Sequence, residues 1–178
     1  MKRIFLVVLA LAIAAPSLLA ADAPPGPNPH LKELSYFAGN WQCTGTSFAF
    51  MGTPEHKTSA TVEAAWVLND YWLSLRYHES KTAINAHPFD VRVFWGWDEQ
   101  TKKFSAGSVD NMGSYAIQSS SGWAGNKLTF DGDMHGGGMT MKTRDVFTKV
   151  SATKVQHSAE VEMNGKWTKL DEETCTKK

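Results

Sequence analysis

The sequence is short of several things at once, and each shortage excludes a class of protein. Positive charge is not in excess: Lys and Arg total 18 against 18 for Asp and Glu. A nucleic-acid binder needs a basic surface to displace phosphate counterions, so none is expected as a partner. An acidic disordered tail is excluded by the same balance. There is no Gly-x-Ser-x-Gly elbow, no His-Glu-x-x-His, no P-loop and no dinucleotide fingerprint. Apolar runs are scarce too. The longest, Ile4 to Ala15, has twelve residues, short of the about 20 that a membrane-spanning helix needs.

That run sits between Met1-Lys2-Arg3 and a Pro16-Ser17 break, with small residues at Ala20 and Ala21. This is the layout of a secretory signal peptide, expected over 1–20 with cleavage after Ala20. The product is expected to be exported, periplasmic or extracellular, with no membrane span left after cleavage. Without the leader, 16 basic side chains face 18 acidic ones, and seven of the twelve Leu and two of the four Ile remain. The core must therefore lean on Val, Ala, Met and the seven Trp, four Tyr and eight Phe that follow residue 20. Only two cysteines occur, Cys43 and Cys175. In an oxidising compartment an even, sparse count suggests one disulfide, with two separate thiols as the alternative.

Residues 21–30 form a Pro-rich linker, and 31–178 read as one domain. His30 to Phe37 places Leu31, Leu34 and Phe37 on one stripe, a short helix ended by Gly39-Asn40. After it come about ten strands joined by short turns. Ser59–Leu68 alternates Ala60, Val62, Ala64, Trp66 and Leu68 against polar residues, and Phe89–Trp97 does the same with Val91, Val93, Trp95 and Trp97. Tyr71–Ser80, Phe104–Val109, Ser114–Ala124, Lys127–Asp133, Met139–Val150, Lys154–Asn164 and Lys166–Cys175 continue the series. Asn164-Gly165 is the strongest hairpin signal. No fixed repeat occurs, so long sequential hairpins predict an all-β fold, a single antiparallel up-and-down barrel. In such a barrel the first and last strands pair, which would set Cys43 beside Cys175.

Leu34-x-x-Phe37-x-Gly39-x-Trp41, then Gly96-Trp97-Asp98 with a Lys-rich turn, Asp110-x-x-Gly113 and the late hairpin Asn164–Trp167 resemble the bacterial domain of unknown function family numbered 1579. That family falls among the lipocalin-like calycin barrels. The resemblance implies a calycin-like barrel in which Trp41 plugs the closed end, and it implies no activity. Lipocalins brace this Trp with an Arg near the chain end. Here no Arg follows Arg144, so the brace is absent or replaced by Lys169 or Lys177.

The chemistry that follows is binding rather than catalysis. The leading expectation is a small, partly apolar ligand held in the barrel by Trp66, Tyr77, Trp95, Trp97 and His157. His157 shares the apolar face of its strand with Val155, Ala159 and Val161. A late inward His resembles the haem-binding nitrobindin type, whose Gly-x-Trp-x-Gly-x-Gly opening is matched at Gly39, Trp41 and Gly45 but holds Cys43 at the middle Gly. That likeness implies haem as a cofactor on His157. Met134, His135, Met139 and Met141 around a triple Gly supply soft ligands for copper, or else line an ordinary hairpin. A barrel-mouth hydrolase or isomerase and an interaction module with a filled core are the remaining readings. No nucleophile and base share a face, which leans away from an enzyme, and His78 and Glu79 are expected on opposite faces. The oligomeric state stays open.

Overall fold

A computed structural model describes residues 25–178. The expected signal peptide and its cleavage site lie outside the described residues. A 3-10 helix, Pro29–Tyr36, comes first. Twelve strands follow: β1 (Gly39–Ser47), β2 (His56–Val67), β3 (Trp72–Glu79), β4 (Asp90–Asp98), β5 (Lys103–Asp110), β6 (Tyr115–Ser120), β7 (Trp123–Ala124), β8 (Lys127–Gly136), β9 (Met139–Ser151), β10 (Lys154–Met163), β11 (Lys166–Lys169) and β12 (Asp171–Lys177). Every pairing is antiparallel, and ten strands close in the order β1-β2-β3-β4-β5-β6-β8-β9-β10-β12 with β12 returning to β1. Closure removes the open edges that a flat sheet would leave.

The turns follow local chemistry. Asn164 (φ 52°) and Gly165 (φ 75°) are both left-handed, as a tight twist-matched hairpin requires. Gly137 and Gly138 do the same between β8 and β9. Two expected long strands are each divided. Ser114–Ala124 breaks at Gly122 (φ 97°), which packs on Phe104 and turns Trp123 toward the helix. Lys166–Cys175 breaks at Leu170, whose N–H reaches Ala159 O and whose C=O receives Phe48 N–H. At Gly45 the β12 backbone passes so close that a Cβ would stand 2.0 Å from Glu172 O, so no other residue fits there.

The first and last barrel strands carry the disulfide. Cys43 and Cys175 are direct partners in the β1–β12 register, with Cα atoms 4.0 Å apart, and are bridged.

The core is polarised along the barrel axis. The helix closes one end, where Leu31, Leu34 and Phe37 are buried. Phe37 stacks on Trp123 and meets Trp95 and Phe147 edge-on, while Trp95 stacks on Phe130 at 4.9 Å. Trp41 is buried there and donates its indole N–H to Phe37 O. Lys177 Nζ lies 5.1 Å over the Trp41 ring and bonds Tyr36 O, so of the two lysines expected to brace this Trp it is Lys177 that lies over it. Lys169 instead pairs with Glu172.

Candidate functional site

Strand direction decides which inward side chains meet at the other end. β1, β3, β5, β8, β10 run away from the helix, and their partners return. The far ends of the inner face therefore carry Thr58 and His56 from β2, Tyr77 and Glu79 from β3, Gln118 from β6, Thr143 and Asp145 from β9, His157 from β10, and Asp171 and Glu173 from β12. These form a polar interior above the aromatic floor.

His157 is its centre. Its Nε2 lies 3.0 Å from Asp145 Oδ1 and its Nδ1 lies 3.4 Å from Asp171 Oδ1. The ring stacks on Phe147 at 4.7 Å. Burial alone would lower its pKa, but Asp171 and Asp145 outweigh that and hold it well above the usual imidazole value. His157 is therefore held between Asp145 and Asp171 in a setting that favours its protonated ring. Both carboxylates are fixed in turn: Gln118 Nε2 donates to Asp145 Oδ2 at 2.7 Å, and Ala159 N–H donates to Asp171 at 3.2 Å.

Glu173 is nearly fully buried beside it. One of its oxygens accepts from Thr58 Oγ1 at 2.6 Å and from Tyr77 OH at 2.9 Å. Burial raises the Glu173 pKa, partly offset by the Thr58 bond. Burial, with Glu173 close by, likewise pushes the Tyr77 phenol up, so Tyr77 stays a donor. A third unit pins the loop after β3. Glu79 accepts from Asn85 Nδ2 at 2.8 Å and Phe89 N–H at 3.0 Å, and faces His56 Nε2 at 3.0 Å. His78 points outward to Asp90, so His78 and Glu79 do diverge.

Water reaches this interior. The side chains of His157, Asp145 and Asp171 face inward in a closed barrel yet remain 18%, 31% and 29% exposed. Val62, Tyr77, Val91, Val93 and Phe147 are likewise only half-buried. An inward side chain in a closed sheet meets solvent through the open end, and this solvent-reached far end of the inner face is called the cup below.

Of the residues expected at a ligand site, the cup holds Tyr77 and His157. Trp95 is buried in the helix-end core, and Trp97 lies beneath the helix, stacked on His30. Trp66 sits at the same end, opposite Leu73. These three belong to the floor and plug, because β2 and β4 both enter the barrel at the far end and finish beside the helix. The copper set is split. Met134 faces Met141 across β8 and β9 and Met139 follows the same alternation, while His135 opposes Thr140 on the other face and stacks on Tyr115. Thr140 and His135 Nδ1 are 3.0 Å apart. As for haem, both ring nitrogens of His157 already face carboxylates. Cys43, Cys175 and Glu173 place ligand atoms within 4.8 Å of one another, but the disulfide occupies both sulfurs.

Asp145, Asp171, Glu173, Thr58 and His56 do not stand out in the sequence, and Glu79 does so only as the neighbour of His78. One signal was available: Asp171 and Glu173 share the strand parity of Cys175, and an inward cysteine implies inward neighbours at i−2 and i−4.

A family model described as "Protein of unknown function (DUF1579)" matches residues 26–177. No curated protein matches the chain. The crystal structure of Rv2717c from M. tuberculosis is similar over 85% of this chain and 99% of its own, at 10% identity and a TM-score of 0.64. A redesigned β-barrel covers 81% of this chain and 93% of its own, at 14% identity and a TM-score of 0.41. The first likeness bears on the fold, a β-barrel.

Proposed function

The chain belongs to the DUF1579 family of proteins of unknown function, and we propose that its barrel binds a small, partly apolar molecule in the cup. The observation that carries this reading is the solvent-reached inner face around His157, Asp145 and Asp171. Polar groups held in fixed directions above an apolar floor are the composition expected of a small-molecule site. Tyr77 and the edge of the His157 clamp would orient the polar end of the ligand, and Val62, Val93 and Phe147 would take its apolar part. The disulfide supports the further reading that the protein works outside the cytoplasm.

The test is a thermal-shift screen of small amphipathic compounds, followed by titration calorimetry on wild type and Ser108→Trp. Ser108 is an inward, partly exposed position on β5 opposite Val93, and an indole there fills the lumen. Micromolar binding that Ser108→Trp abolishes, with the circular dichroism spectrum retained, is expected. Compounds that bind both proteins equally, or a screen in which no compound binds, would overturn the reading.

A further inference from the structure

The outer face of the barrel has its own pattern, independent of the cup. Phe94 on β4, Gly107 on β5 and Ile117 on β6 are direct cross-strand neighbours. In the adjoining row Arg92, Val109 and Tyr115 are neighbours in the same way. Alternation turns all of these outward. Ile117 is 60% exposed and Val109 57%, with Phe94, Tyr115 and the nearby Met112 also exposed. Gly107 adds no side chain, and Ile117 leans over it to within 3.9 Å of where a Cβ would be. The result is a contiguous apolar patch across three neighbouring strands, the kind of surface that marks an interface.

The borders of the patch carry opposite charges. Arg92 stands on its β4 side, and Asp131 and Asp133 stand on its β8 side. Among the described residues none of the three makes an ion pair within the chain. Beside Ile117, a depression of about 350 Å³ is lined by Lys103, Ser105, Ser119, Asp131 and Asp133.

We propose that this β4–β6 face is the contact of an isologous dimer, and that the partner is a second copy of this chain. A two-fold axis parallel to the strands, between β5 and β6, places β5 of one copy on β6 of the other. It brings Val109 against the second copy's Tyr115 and Ile117 against the second copy's Gly107. The same axis sets β4 opposite the second copy's β8. Arg92 then stands opposite the second copy's His135 and diagonal to its Asp133, a spacing a long side chain spans, once on each side of the axis. A self-complementary patch with one basic and one acidic border is what a closed two-fold interface requires. A partner of uniform charge would leave one border unpaired.

The test is sedimentation velocity on the domain with its disulfide intact, up to roughly 100 µM, a range in which micromolar interfaces associate. Twice the monomer mass is expected for wild type. Ile117→Lys should be monomeric with an unchanged melting temperature, because that side chain is exposed. Arg92→Asp and Asp133→Arg should each weaken the dimer by roughly tenfold, and the double swap should restore it to near wild type. The two positions lie on β4 and β8 with two strands between them, so recovery cannot arise inside one chain. A monomeric wild type, a dimeric Ile117→Lys, or a double swap no stronger than the single variants overturns the proposal. The first of these outcomes would assign the patch to a different protein.

Discussion

Opening the Cys43–Cys175 bridge tests the barrel closure directly. The two residues are 132 positions apart, so the bridge closes almost the whole domain into a loop in the unfolded chain. The chain-entropy relation for a loop of that size gives about 5 kcal/mol at 25 °C. The ordered domain has roughly 150 residues, and unfolding entropy near 2.1 cal/mol/K per residue converts this to a fall in melting temperature of about 15 °C. Reduction leaves the backbone pairing around the bridge available, with Cys43↔Cys175 flanked in register by Trp41↔Lys177 and Gly45↔Glu173, so the native contacts are expected to change little. Nearly all of the effect therefore belongs to the unfolded state. The assay is urea unfolding followed by circular dichroism, with and without a phosphine reductant, repeated on Cys43→Ala/Cys175→Ala. The alanine pair should lose on the order of 1 kcal/mol more, for the sulfur atoms missing from a buried seam. The denaturant slope should also rise, because an unlinked chain exposes more surface on unfolding. A loss below about 1.5 kcal/mol with an unchanged slope would refute the reasoning, since it would mean the unfolded chain keeps β1 against β12 without the bridge.

The polar interior gives the protein a pH dependence of defined sign. His157 has its pKa raised in the fold, so its stabilising contribution is complete below about pH 6.5 and is lost as pH rises through the folded value. Glu173 is also raised. Its contribution is complete below the ordinary carboxylate value of about 4.5 and is likewise lost as pH climbs through the folded value. Both act in one direction, so unfolding free energy should fall from mildly acidic toward alkaline pH, and His157→Gln should flatten the upper part of that curve in pH-resolved urea titrations. Lys177→Met should cost about 1 kcal/mol in the same assay, for the cation over Trp41 and the bond to Tyr36 O, with Lys177→Arg largely preserving stability. Equal losses in the two Lys177 variants would show that the charge over the ring is immaterial.

Much of the architecture was legible because it depends on local rules. Period-two alternation located the strands, Asn164-Gly165 located a hairpin, and sequential hairpins implied that the first and last strands meet. That pairing put the two cysteines side by side. The family opening at Leu34–Trp41 correctly placed a Trp at the plugged end. The cup was harder to read, for two physical reasons. An alternation argument searches for apolar residues on one face, so it passes over Asp145, Asp171 and Glu173, which are inward because they satisfy His157, Tyr77 and Thr58. Face is also not depth. Trp95, Trp97 and Trp66 point inward as expected, but whether an inward residue lies at the floor or the mouth depends on which way its strand runs relative to the helix.

The seam between β1 and β12 also sets how the protein meets mechanical load. Its covalent cross-link joins the first and last strands of the barrel. A pull applied across Trp41 and Lys177 passes through the Cys43–Cys175 bridge, and the strands between are bypassed. The 132-residue loop, which could release more than about 400 Å of contour if straightened, carries no tension while the bridge is intact. Reduction would place the whole barrel in series with the load, so the same two sulfurs that limit the unfolded chain also decide whether the cup can be pulled open.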